Sequence, residues 1–172
     1  GKSYSLNGPK QDPGIISRFV TDMFKRIDKE KGKGRGKDRK FLTRFVVEVS
    51  MFEIYDENIV DLIDYDLSAV VDSHKYGLGV KQHPRHGLHI KGLTKTWVED
   101  ASTLNAVIDR CRQTQAILSR KRLHDHTRKH TIIEVNLLKI VENTETDIET
   151  DDDYYMNIEE TASSIRFVDL AG

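Results

Sequence analysis

Residues 45–55 read FVVEVSMFEIY, and no other stretch restricts the fold as much. The β-branched and aromatic residues favour extended backbone, and only Glu48, Ser50 and Glu53 interrupt them with polar side chains. A strand with one wet face alternates apolar and polar residues; this one has too few polar positions for that. It is expected to be buried on both faces, as in the middle of a mixed or parallel sheet. The rest of the chain must then supply the covering layers.

Helical spacing marks two helices. Ile15, Ile16, Phe19, Val20, Met23, Phe24 and Ile27 recur at offsets of three to five, which makes one apolar face of a helix entered from Gly14. A second amphipathic helix is expected over ASTLNAVIDRCRQTQAILSRKRL, with Leu104, Val107, Ile108, Cys111 and Leu118 inward and Ser102 as its cap. Residues 57–64, ENIVDLID, suggest a short helical turn. The stretch LGVKQHPRHGLHIKGLTKTWVED suggests two short strands around a turn containing Pro84 and Gly87. HTIIEVNLLKIV alternates as a strand does, and SIRFVDLAG reads as a short buried strand. Two stretches cannot hold a core: a Gly-interrupted basic run at about 29–40, read as an exposed loop insertion, and an acidic excursion at about 142–161, read as a hairpin tip or loop. Strands and helices alternate over most of the 172 residues, so one layered α/β domain is expected.

The charges nearly cancel, 27 basic against 28 acidic, so global charge favours neither nucleic acid nor a membrane surface. No apolar run approaches the ~20 residues of a spanning helix. The single cysteine, Cys111, excludes an intrachain disulfide, fits a reducing interior, and reads as a small buried hydrophobe. The first residues carry no basic-then-apolar leader pattern, which points away from secretion.

Chemistry enters at the ends. A phosphate loop reads G-x-x-x-x-G-K-[ST]: backbone amides cradle phosphate, the Lys reaches the outer phosphates and the hydroxyl ligates Mg²⁺. Gly1-Lys2-Ser3 are its last three residues, at the head of the chain. At the other end Phe167-Val168-Asp169 is an apolar strand ending in a carboxylate, the pattern that places an Asp near Mg²⁺, and Gly172 follows.

In register along the chain, GKSYSLNG, PGIISR, VSMFEIYDENIVDLI, GLHIKGLT and FVDLAG resemble the kinesin motor domain's GKTYTM, GIIPR, VSYLEIYNExIxDLL, GxYVxGLT and LVDLAG. The resemblance spans the whole chain. It implies a three-layer phosphate-loop NTPase fold, a central mixed, mostly parallel sheet flanked by helices, present as a partial motor domain over 1–172. It also implies ATP and Mg²⁺ as cofactors, microtubules as partner, and microtubule-stimulated ATPase activity that drives movement. Neither nucleic-acid binding nor membrane insertion is expected, dimerisation would use segments outside this chain, and the location would be the microtubule cytoskeleton of the cytoplasm.

By position, Gly1, Lys2, Ser3 and Tyr4 would bind nucleotide; Ser3, Thr127 and Asp169 would hold the metal; and Thr127, Arg128 and the Gly172 amide would serve catalysis. Lys81, Arg85 and His86 would face the acidic microtubule. One segment departs from the pattern. RLHDHTRKH stands against N-x-x-S-S-R-S-H, with Leu123 for the Asn, His126 and Thr127 for the paired Ser, and Lys129 for the third Ser; Arg128 and His130 are identical. Ser17 also replaces the Pro of GIIPR. Two alternatives follow: a kinesin-like microtubule-binding module with weak or lost ATPase, and a metal hydrolase built on His124, His126 and His130, in which two imidazoles four apart would share a helix face. The flanking Arg122, Arg128 and Lys129 oppose cation binding, and the trio His83, His86 and His89 reads as turn and surface residues.

Overall fold

The computed structural model describes residues 1–9, 11–33, 41–55, 57–65, 77–84, 87–121, 129–143 and 158–171. A short helix α1 (Lys2–Asn7) turns into a long helix α2 (Ile15–Lys33). Strands β1 (Phe41–Tyr55), β2 (Asn58–Asp61), β3 (Val80–His83), β4 (Gly87–Ile90) and β5 (Thr96–Val98) follow, then helix α3 (Ala101–Lys121) and strands β6 (Lys129–Asn143) and β7 (Ile158–Asp169).

The main sheet runs β2-β1-β6-β7. β6 pairs with β1 along the whole of β1, from Phe41↔Asn143 to Tyr55↔Lys129. The other edge of β1 is therefore shared, by β5 at Val47–Val49 and by β2 at Phe52–Tyr55. Every one of these pairings is antiparallel, including β6 with β7. The α/β class is as expected, but the mostly parallel sheet is not what the described residues form. Alternation of strands and helices reveals layers, not strand direction. Direction depends on which strands become neighbours, and here β6 lies between β1 and β7, antiparallel to both.

Strand alternation sorts the core onto two faces. Val47, Val49 and Met51 of β1, Ile133 and Val135 of β6 and Phe167 of β7 pack with Ile16, Val20, Met23, Phe24 and Ile27 of α2 and Leu104, Ile108, Cys111 and Leu118 of α3. Phe19 meets Phe167 edge to face, ring centres 5.3 Å apart. Phe52, Ile59 and Ile132 form a smaller cluster on the opposite face. The middle of β1 is thus buried on both sides, as its composition demands.

Five local expectations change. Residues 58–61 pair with β1 as β2 instead of forming a helical turn, because Ile59 adds to the second apolar cluster. α3 is capped by Asp100, whose carboxylate accepts from the Thr103 amide at 2.7 Å, with Ser102 inside the first turn. α2 continues to Lys33, so the head of the basic stretch is helical; 34–40 lie outside the described residues. β7 is longer than expected and mostly exposed, with Phe167 its one buried apolar side chain among the described residues; it is an edge strand, paired with β6. The centre of the acidic stretch, 144–157, lies outside the described residues, while its margins are paired strand in β6 and β7. The two strands around Pro84 are β3 and β4, a separate two-stranded sheet.

The α1–α2 corner depends on glycine. Gly8 ends α1 at φ 62°, where an L side chain is strained. A Cβ on Gly14 would run into the Leu6 carbonyl, so the chain can fold back on α1 only without a side chain there.

Candidate functional site

The corner matters because it presents the first turn of α1 to the end of β7. Gly1 to Tyr4 are exposed on that turn, and a Cβ on Gly1 would meet nothing within 4 Å. The Lys2 ammonium donates to the Ala171 carbonyl at 3.2 Å, although 169 residues separate them. Asp169, half-buried, closes β7 opposite Thr131 of β6. The Nδ1 of His130 accepts from the Ala171 amide at 3.1 Å. The Ala171 peptide groups are thus held from both sides, the carbonyl by Lys2 and the amide by His130.

Behind this junction lies a polar network. Gln115 of α3 donates through Nε2 to Thr131 Oγ1 at 2.8 Å and to Glu53 Oε2 at 3.0 Å. Lys129 Nζ donates to Ser119 Oγ at 2.8 Å and lies 3.8 Å from the same Glu53 oxygen. Arg112 reaches from α3 to Asn7 at 2.7 Å, tying the end of α1 to the same helix. A cavity of about 40 Å³, bordered by Asn7, Arg112, Gln115, Thr131 and Asp169, sits between these elements; it has room for a water or two and not for a larger ligand.

The sequence-derived residues sort cleanly. Lys2 is brought beside the segment that follows Asp169, with Ser3 next to it on α1. Thr127, Arg128 and Gly172 lie outside the described residues, as do Arg85 and His86. Lys81 is exposed on β3. His83 and His89 meet edge to face at 6.2 Å on the β3–β4 pair. Of the three histidines of the metal pattern only His130 is described; it stands in a strand, so the shared helix face is not there, and its Nδ1 is occupied by Ala171. Among the described residues no three His, Cys, Asp or Glu side chains are grouped to hold a metal. Sequence reasoning missed Glu53, Gln115, Ser119 and Arg112. A carboxylate in the middle of an apolar strand was the available signal, since such a group is buried only with partners.

The kinesin motor domain family model matches residues 1–172, the whole chain. The chain belongs to the kinesin motor domain family. Among its relatives, the Arabidopsis thaliana kinesin-like protein KIN-7N is 30% identical over 173 residues, covering all of this chain and 18% of that protein. The Mus musculus kinesin-like protein KIF14 is 27% identical over 172 residues, covering all of the chain and 9% of the relative. The Caenorhabditis elegans kinesin-like protein unc-104 is 28% identical, covering all of the chain and 10% of the relative. The chain thus spans a small part of the length of these kinesins. A solved fast-kinesin structure, described as bearing on ATPase mechanism and interactions with microtubules, superposes with a TM-score of 0.74 at 24% identity, over all of this chain and 41% of that one. That likeness establishes the fold: the antiparallel β1-β6-β7 arrangement belongs to a kinesin-type domain.

Proposed function

We propose that residues 1–172 are the central part of a motor domain that binds Mg·ATP and couples its hydrolysis to movement along microtubules. The observation that carries this reading is the contact of Lys2 with Ala171, which brings together the two segments that the reading assigns to one nucleotide site. The donor set fits Mg·ATP: an ammonium, an adjacent hydroxyl and a strand-end carboxylate, with an open approach along α1.

In this reading Lys2 binds the outer phosphates, Gly1 and Tyr4 bound the phosphate turn, and Ser3, Thr127 and Asp169 hold the metal. Bound Mg²⁺ supplies charge neutralisation on the phosphate oxygens. Arg128 and the Gly172 amide complete the catalytic loops, and His130 keeps the Ala171 amide engaged so that the segment after Asp169 has one position. Such sites act by placement and electrostatics, so losing one charged contact costs rate steeply. Lys81, with Arg85 and His86, gives the β3–β4 region its basic character toward an acidic microtubule surface. The protein works on microtubules in the cytoplasm.

The deciding experiment is ATPase of the full-length protein with and without microtubules. Stimulation by microtubules, abolished by Lys2→Ala, is expected; no stimulation removes the motor reading. A second reading, a microtubule-binding module with weak turnover, is favoured by His126 and Lys129 at positions the family motif fills with Ser. Under it, the His126→Ser, Lys129→Ser variant turns over faster than the wild type. A wild type already turning over at the median enzyme rate of about 10 per second or more excludes it.

A further inference from the structure

Lys129 looks, by sequence, like damage to a nucleotide-sensing loop. In the structure its side chain is committed elsewhere. By strand alternation Lys129 and Thr131 share the helix-covered face of the sheet with Glu53, which pairs with Thr131. The ammonium bridges Ser119 of α3 and the carboxylate of Glu53 in β1, a group with no solvent exposure. Gln115 joins the same carboxylate oxygen to Thr131. An ion-centred network therefore ties α3, β1 and the first residues of β6 together. A serine at position 129 would end far short of that carboxylate, so the tie belongs to this chain and not to the family motif.

The next residue is His130, on the opposite face, with Nδ1 on the Ala171 amide. We propose that the Lys129–Glu53 pair is a lock that positions His130 on the Ala171 amide. By fixing where β6 starts, it holds the segment after β7 in place against Lys2. Lys129 is a positioning residue in this scheme, touching neither nucleotide nor metal. The consequence for nucleotide binding rests on the function proposed above; the lock itself does not.

The test uses the full-length protein and two readouts. Amide hydrogen exchange at Ala171 reports the lock directly, and release of a fluorescent ADP analogue reports its functional effect. Lys129→Met is expected to speed Ala171 exchange about tenfold or more, while Lys129→Arg, which keeps the cation, stays within about threefold of wild type. Val20→Ala, in the α2 core away from the network, controls for general loss of stability. If it speeds Ala171 exchange as much as Lys129→Met does, or if Lys129→Met leaves exchange unchanged, the lock is wrong. Faster ADP release in Lys129→Met is the expected functional outcome; unaltered release would confine the lock to structure and overturn its link to the site. If the wild type binds no ADP analogue, the nucleotide reading fails and the exchange data still decide the lock.

Discussion

Replacing Glu53 probes how a charge is kept inside this sheet. The side chain has no solvent exposure, accepts from Gln115 at 3.0 Å and lies 3.8 Å from Lys129, itself 30% exposed. Breaking a buried ion pair by deleting one partner costs about 3–5 kcal/mol when the other charge stays buried. Lys129 can turn partly to water and keeps Ser119, so the low end applies to Glu53→Ala: about 3 kcal/mol, including the lost charged hydrogen bond and the void left behind. Glu53→Gln keeps shape and an acceptor for Gln115 while losing the charge, and relieves the desolvation of a carboxylate, so about 1 kcal/mol is expected. For a chain of this length each kcal/mol shifts Tm by roughly 3 °C, giving drops near 9 °C and 3 °C respectively. Urea and thermal unfolding of the two variants, with slopes compared, measure this. Equal losses would show that charge and hydrogen bonding are not separable here, and an Ala variant as stable as wild type would refute the network.

Two predictions concern pH and the helices. Asp100 is held below the usual carboxylate range by the Thr103 amide and hydroxyl, then opposed by partial desolvation. A depressed folded pKa gives stability that is present above the unfolded value and lost as pH falls through the folded one. Asp100→Ala should therefore lower Tm at neutral pH and flatten its decline at acid pH, with Asp100→Ser retaining most of the cap at pH 7. Burial, chiefly, pushes the Cys111 thiol up to about 11 from 9.0, with the charge of Asp61 adding to it. Here the sign reverses: the protonated thiol is favoured in the fold, so its contribution is full below the unfolded value and declines between 9.0 and about 11. Cys111 should accordingly resist thiol reagents at pH 8 in the native protein and react at the rate of local or global opening; rapid native labelling would contradict its burial at 1% exposure.

Much of the fold was legible because burial writes period into sequence. Ile16, Val20, Phe24 and Ile27 mark the inward stripe of α2, and Leu104, Ile108, Cys111 and Leu118 that of α3. β1 declared itself through its apolar density. Strand direction was not legible, since Val49 looks the same whether its neighbour runs up or down. The ENIVDLID segment misled because its apolar spacing is too short to separate a turn of helix from a four-residue strand, and pairing with β1 decided it. Of the proposed site, Gly1-Lys2-Ser3 and Asp169 were readable as half-motifs, and the fold adds the contact of Lys2 with Ala171, two residues after Asp169. The supporting network escaped notice for the same reason: Glu53, Ser119 and Lys129 are 66 and 10 residues apart in the chain, and nothing local pairs them.

Affinity of the full-length protein for a fluorescent ATP analogue in Mg²⁺, measured for Lys2→Ala, Asp169→Asn and both together, bears most directly on a shared nucleotide site. If Lys2 and Asp169 serve one Mg·nucleotide, each substitution weakens binding at least about tenfold and the double variant loses less than the two losses combined. Undiminished affinity in either single variant would place the nucleotide somewhere else.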